Sequence, residues 1–208
     1  MIAVNLVTAK ASNFHNVPRI HTFGWPIGVT LENKEEYRPR PMTDGIRAEI
    51  GIGNSQMTDR ASYDYWALRN TGDFYLLQSL FEDDRDTSAV FFNSRFVRVT
   101  ESLLFAANLY EALGVPADTR RSIRMTHRGI AGRTLSSSNP QRHLSLARKA
   151  QADESQTEIV EDIGQLRACI VDDVRKVTEP LFMLFDFMQF DDKVYEEIVR
   201  EFIKGRAT

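Results

Sequence analysis

Apolar and polar residues alternate over several short stretches in the first half of the chain. The two-residue period of a strand is clearest at Ile46, Ala48, Ile50 and Ile52. Residues 63–69 and 73–80 flank Asn70-Thr71-Gly72, a sequence typical of a hairpin turn. Residues 89–93 predict another short strand, and residues 20–31, which are aromatic and β-branched, predict a bent one.

The apolar period changes after residue 95. One helical face collects Val99, Leu103, Tyr110 and Leu113. Gly114 stands where a helix typically ends, and Pro116 follows where a helix cannot continue. The pattern therefore predicts a helix over residues 96–114. Residues 119–128 alternate again and predict a strand.

Helical spacing returns in the last third of the chain, at Ile159, Ile163, Leu166, Ile170, Val174 and Val177. We expect Pro180 to interrupt this helix, Asp191 to cap the last helix and Gly205 to end it. Ser136-Ser137-Ser138-Asn139-Pro140 predicts the start of a linker.

Strands that precede helices favour an α+β fold over an alternating α/β fold. We predict a mostly antiparallel sheet with one packed helix, followed by a C-terminal helical subdomain. The predicted boundaries are a mainly β region over residues 1–135, a polar linker over 136–156 and helices over 157–208 that pack on the first region.

Charge is distributed unevenly along the 208 residues. The whole chain carries −3, but the basic segment, residues 118–149, has eight Lys or Arg residues and one acid. Residues 153–201 form an acidic region with fourteen Asp or Glu residues against five Lys or Arg residues. This asymmetry indicates either an anionic partner or two regions of opposite sign that dock on each other.

Arginines recur at four-residue intervals along the predicted strand 119–128. Arg120, Arg124 and Arg128 share one face, and neighbouring members of the row are roughly 13 Å apart. Such a row fits a phosphate backbone of DNA or RNA, or the acidic surface of a protein partner. It also fits a solvated face whose charges protect a sheet edge from aggregation.

A glycine-rich turn follows the arginine row. Gly129-Ile130-Ala131-Gly132 precedes Arg133, and the turn's backbone N–H groups would suit a phosphate. The spacing matches neither a P-loop nor a dinucleotide fingerprint, so a simple turn is favoured. Arg133 completes the predicted anion-binding set of Arg120, Arg124, Arg128 and Arg133.

Catalytic and metal motifs are not evident in the sequence. The four carboxylates in residues 82–86 are sequence neighbours, which usually point apart into water. The single cysteine, Cys169, excludes an intrachain disulfide and is expected to be buried. We predict no catalytic set, no metal and no cofactor, although an active site assembled from distant residues leaves no local motif.

Aromatic residues in the predicted hairpin are a further candidate for base stacking. Tyr63 and Tyr65 share one strand face, Trp66 takes the other, and Phe74-Tyr75 lies beyond the turn. The same mixture is typical of a two-layer core, and core packing is the favoured interpretation.

Five strings together resemble a known family: Phe23-Gly-Trp-Pro-Ile-Gly28, Tyr63-Asp-Tyr-Trp66, Gly72-Asp-Phe-Tyr-Leu-Leu77, Ser79-Leu-Phe-Glu-Asp83 and Arg98-Val-Thr-Glu101. They are similar to the region that follows the Schlafen-like (AlbA-type) DNA-binding domain in bacterial proteins. The resemblance spans about residues 20–205 and implies an accessory module beside a nucleic-acid-associated domain. No residue of that domain can be carried over to this chain.

The sequence thus predicts a cytoplasmic binding or regulatory module without a membrane span. Its basic face contacts nucleic acid or another phosphorylated ligand in the first interpretation. The alternative is a protein-interaction or homo-oligomerisation module that uses the complementary basic and acidic regions. An unrecognised nuclease or hydrolase is a further alternative.

Overall fold

A computed structural model describes residues 39–52, 62–142, 144–187 and 189–206. The predicted strand at residues 20–31 lies outside these ranges. The chain divides into two compact units, Met1–Arg85 and Asp86–Thr208. Helices and strands are both present, and the largest sheet is antiparallel, so the α+β class is confirmed.

The described part of the first unit is an antiparallel sheet. Its strands follow each other in chain order, β1 (Arg40–Met42), β2 (Gly45–Ile52), β3 (Ser62–Arg69) and β4 (Phe74–Gln78). The predicted hairpin is confirmed, because β3 pairs with β4 across the turn at Asn70-Thr71-Gly72. Gly72 has a φ of 89°, a conformation that glycine adopts at no steric cost. A single-turn 3₁₀ helix, Phe81–Asp84, follows β4.

The two faces of this sheet differ in chemistry because alternate residues of a strand point to opposite sides. One face buries Ile46, Ala48, Trp66 and Leu68. The opposite face is called the aromatic face here, and its described members include Arg40, Arg47, Glu49, Tyr65, Ala67, Arg69, Tyr75 and Leu77.

The second unit combines two small sheets with three helices. Strand β5 (Ala89–Phe91) pairs in parallel with β7 (Thr134–Ser136), and β6 (Arg120–Arg128) pairs antiparallel with β8 (Glu154–Asp162). The helices of this unit are α1 (Phe92–Ala112), α2 (Ile170–Met183) and α3 (Asp192–Ile203), and a short 3₁₀ helix, Ile163–Gln165, follows β8.

Helix α1 ends as the sequence predicts. Gly114 has a φ of 75°, and its N–H donates to the carbonyl of Glu111 while the N–H of Val115 donates to that of Tyr110. These two bonds form a Schellman motif, which satisfies carbonyls that the helix leaves unpaired. The helix begins at Phe92, four residues before the predicted start, so the strand predicted for residues 89–93 stops at Phe91.

An aromatic cluster forms the core of the second unit. The side chain of Phe96 on α1 is fully buried, and the rings of Phe92, Phe182, Phe190 and Tyr195 lie with their centroids 4.5–6.0 Å from it. The cluster draws on α1, α2, α3 and the loop before α3, so it holds the three helices together. Asp191 caps α3 as predicted, since its side chain accepts a hydrogen bond of 2.8 Å from the N–H of Lys193.

Three expectations for the C-terminal third are wrong. Residues 157–162 belong to strand β8 rather than a helix, because pairing with β6 aligns Ile159 with Ile123 and outweighs the helical spacing. Pro180 lies inside α2, which continues to Met183. Cys169 is only half-buried, at the N-terminal end of α2.

Part of the predicted polar linker is fixed to α1. The buried side chain of Asn93 donates to the Ser138 hydroxyl at 2.7 Å and accepts from the N–H of Ser138 at 3.0 Å. Ser136 already belongs to β7, and Lys149 forms a β-bridge with Thr134. Polar composition here therefore reflects hydrogen bonding to a buried side chain.

Candidate nucleic-acid interface

The arginine row predicted from the sequence lies where expected on strand β6. Arg120, Arg124 and Arg128 are exposed on the outer face of the β6–β8 ribbon, while Ile123 and Met125 are half-buried on the inner face. Regular alternation along nine residues is the cause of this arrangement. The strand and its orientation are therefore confirmed.

Carboxylates of β8 lie opposite every arginine of the row. The pairing register aligns Arg120 with Asp162, Arg124 with Glu158 and Arg128 with Glu154. Arg124 Nη2 is 3.4 Å from Glu158 Oε2, and Arg128 Nε is 2.8 Å from Glu154 Oε2. The outer face thus carries three positive and three negative side chains, and a phosphate there would compete with the carboxylates.

Glu158 is held in its charged form by its neighbours. The hydroxyl of Ser122 donates to Glu158 Oε1, and this hydrogen bond is the main reason that the pKa of Glu158 lies below its usual value. Hydrogen bonding and attraction by Arg124 lower this pKa further. The negative charge beside the arginine row therefore persists at neutral pH.

Arg133 lies in the turn after β6, apart from the row of three. The N–H of Ala131 donates to Asp153 Oδ1 at 3.2 Å, and the N–H of Gly132 donates to the carbonyl of Ala150 at 2.9 Å. The N–H of Ile130 points to the carbonyl of Asp153 at 3.5 Å. These amides serve the turn itself, which favours the structural interpretation over a phosphate cradle.

Other arginines of the basic segment also contact the acidic region. Arg142 Nη2 is 2.7 Å from Glu197 Oε1, and Arg148 Nη1 is 3.6 Å from Asp186 Oδ2. Together with the two ribbon pairs, these contacts join the basic segment to the acidic region within one chain. These four pairs therefore balance part of the segment's positive charge inside the second unit.

The aromatic face of the first unit is a second candidate that the sequence analysis assigned to the core. Trp66 is buried as expected, with 4% of its surface exposed. Tyr75, however, is 55% exposed and Leu77 is 46% exposed. The rings of Tyr65 and Tyr75 meet edge to face with centroids 5.9 Å apart. The alternation along β4 places Tyr75 and Leu77 on the face opposite to Phe74, and this alternation was the signal in the sequence for their exposure.

Positive charge lies beside these rings. The register aligns Arg40 with Arg47, Arg47 with Ala67 and Ala67 with Tyr75, so one row crosses all four strands. Arg40 and Arg47 are both exposed, so this row places two positive side chains on the same face as Tyr75. Within the described ranges, Arg47 has no acidic side chain within salt-bridge distance, and Arg69 lies 3.6 Å from Asp44.

A histidine, His127, lies on the inner face of the ribbon, on strand β6. His127 lies opposite Ser155, and burial together with the charge of Arg95 lowers its pKa to about 3. The imidazole is therefore neutral at physiological pH. In the described parts of the chain, no group of three or more His, Cys, Asp or Glu side chains has the arrangement of a metal site.

No helix within the described residues combines the length and the apolar character needed to cross a membrane. Comparisons with protein-family models, curated proteins and solved structures find no match to this chain. The resemblance to the region that follows a Schlafen-like domain therefore stays a prediction. Function has to be argued from the surfaces themselves.

Proposed function

We propose that this protein is a non-enzymatic binding module that contacts single-stranded nucleic acid through the aromatic face. The observation that carries the proposal is the exposed Tyr75 ring, paired with Tyr65 and in one cross-strand row with Arg47 and Arg40. Aromatic side chains beside arginines on an open sheet are the combination that binds unpaired bases and their phosphates.

Exposure of the tyrosine supports stacking as the main contact. Tyr75 is 55% exposed, so its ring is open to a base that stacks on it. Bases in a duplex present their faces only to each other. The aromatic face therefore favours a single strand over a double helix.

The arginines provide the second component of binding. Neighbouring strands are about 4.8 Å apart, so Arg47 on β2 lies roughly 10 Å from Tyr75 on β4. That separation allows a base to stack on the tyrosine while its backbone passes over the arginines. A phosphate over this row would accept charge-assisted hydrogen bonds from the arginines.

The arginine row on β6 is the weaker candidate for the same ligand. Its charges are matched by Asp162, Glu158 and Glu154, so the ribbon offers little net attraction to a polyanion. Binding of nucleic acid or another phosphorylated ligand by the row stays a prediction.

Fluorescence anisotropy with a labelled mixed-sequence DNA or RNA strand in about 50 mM salt tests the proposal. Tyr75→Leu should weaken binding about 5-fold to 100-fold, the range expected for the loss of one stacked base. Tyr110→Leu is the matched control, because Tyr110 is half-exposed on α1 in the other unit, and it should leave the affinity unchanged.

A triple variant with Arg120, Arg124 and Arg128 replaced by alanine separates the two surfaces. We expect this triple variant to bind the labelled nucleic acid nearly as well as the wild type does. Equal affinity of the wild type and Tyr75→Leu, or loss of binding in the triple variant alone, would contradict the proposal. So would a wild-type protein that fails to bind either strand.

A protein-interaction or homo-oligomerisation role is the second candidate, and the arginines and acids that lie opposite each other on the exposed face of the β6–β8 ribbon support it. The cytoplasmic location inferred from the single cysteine stays a prediction beside both candidates.

A further inference from the structure

The outer face of the β6–β8 ribbon consists of two parallel stripes of opposite charge. Arg120, Arg124 and Arg128 form the positive stripe on β6, and Glu154, Glu158 and Asp162 form the negative stripe on β8. Each arginine lies directly opposite one acid in the register. Within the described residues, neither strand pairs with a third strand.

From this pattern we infer that the outer face of the ribbon binds a second copy of the same chain. A twofold axis parallel to the strands and lying between them places β6 of one copy over β8 of the other. Every arginine then faces the partner's acid at the same level of the ribbon, and all three levels match at once. A twofold axis perpendicular to the strands would instead stack Arg124 on Arg124 and is disfavoured.

Residues between the charged levels are compatible with close contact. Val160 is 46% exposed and lies opposite Ser122, so the two copies would bury an apolar side chain against a small one. The other intermediate level pairs Thr126 with Gln156, which are both polar and uncharged. The face thus has no side chain whose charge opposes a second copy in this orientation.

A second copy fits this face better than other occupants. A nucleic acid would meet three carboxylates beside the three arginines, and a uniformly acidic or basic protein would be repelled by one stripe. Only a partner with the same two stripes in exchanged positions satisfies both, and a second copy of the chain has them.

The size of the face limits the strength of the contact. Two nine-residue strands cover roughly 30 Å by 10 Å, which is below the area of about 800 Å² per partner in stable complexes. We therefore expect a dimer that forms at high protein concentration and dissociates as salt is added, because exposed charges are screened.

A charge-swapped variant tests the inference. Arg120→Asp with Asp162→Arg, Arg124→Glu with Glu158→Arg, and Arg128→Glu with Glu154→Arg reverse both stripes while keeping every pair within the chain. Sedimentation velocity then follows a fluorescently labelled wild-type chain in an excess of unlabelled protein. Excess wild type should increase its sedimentation coefficient, and excess swapped variant should not, because like charges would then face each other.

Two half-swapped variants serve if the six substitutions prevent folding. Arg124→Glu with Arg128→Glu makes the face acidic, and Glu154→Arg with Glu158→Arg makes it basic. Each should be monomeric alone, and their mixture should dimerise. An equal shift of the labelled wild-type chain by wild-type and swapped protein would overturn the inference, as would no shift with either at low salt. Failure of the two half-swapped variants to associate when mixed would also overturn it.

Discussion

Arg128 on β6 lies directly opposite Glu154 on β8, and its Nε atom is 2.8 Å from Glu154 Oε2. Both side chains are substantially exposed, at 72% and 39%. The sequence placed these residues in two regions of opposite charge, and the structure joins them as neighbours in one ribbon. The pair therefore contributes to strand register and surface charge more than to stability.

A double-mutant cycle measures this contribution. With Arg128→Gln and Glu154→Gln singly and together, we expect a coupling free energy of about 0–1 kcal/mol, because water and salt screen an exposed pair. Urea unfolding at two salt concentrations gives the value. A coupling several times larger, or one that does not decrease in high salt, would show that the pair is a structural element of the fold.

Capping of α3 by Asp191 predicts a specific pattern of substitution effects. Asp191→Ala removes the acceptor of the 2.8 Å bond from the N–H of Lys193 and should lower the free energy of unfolding by about 1 kcal/mol. Asp191→Asn keeps an acceptor oxygen and should retain most of the stability. Equal losses in the two variants, measured by thermal unfolding, would refute the capping role.

Phe96 should be among the most sensitive positions of the second unit. Its ring is fully buried among four other aromatic rings, so Phe96→Ala leaves a cavity and should cost about 3–5 kcal/mol. The half-buried Phe202 near the end of α3 provides a control whose replacement by alanine should cost less. Urea unfolding followed by the helical circular-dichroism signal compares the two, and equal losses would contradict this assignment of the core.

Because the pKa of His127 is lowered in the folded protein, we expect the free energy of unfolding to depend on pH. Above about pH 6.5 the imidazole is neutral in both the folded and the unfolded chain, so it contributes nothing. Below that value the unfolded chain takes up a proton that the folded protein does not accept until about pH 3. Stability is therefore lost as the pH falls, by up to about 1.4 kcal/mol for each pH unit.

Replacement of His127 by glutamine isolates this effect from that of the carboxylates. Between pH 7 and pH 5, we expect the wild type to lose about 2 kcal/mol more of its unfolding free energy than His127→Gln. Chemical denaturation at the two pH values gives the difference. Parallel losses in both proteins would show that His127 accepts a proton freely in the folded state.

The sequence predicted correctly those turns, helix ends and caps that depend only on residues close to them in the chain. The hairpin turn at Gly72, the end of α1 at Gly114 and the cap at Asp191 each depend on residues within one turn of the chain. Strand β6 was also predicted correctly, because nine alternating residues leave little ambiguity.

Long-range pairing explains what the sequence did not predict. Residues 157–162 fit helical spacing in the sequence, and pairing with β6 makes them part of strand β8 instead. The same pairing places acids next to the arginine row, which no local pattern around Arg124 shows. Tyr75 was assigned to the core because its exposure depends on which face of the sheet is covered.

The most direct test of the central claim locates the bound strand on the protein. A single strand with 5-bromouracil in place of thymine or uracil is irradiated in the complex, and the crosslinked peptides are identified by mass spectrometry. We predict adducts at Tyr65 or Tyr75, because crosslinking requires the side chain to be in contact with the base. Adducts confined to residues 120–133, with the two tyrosines unmodified, would contradict the account.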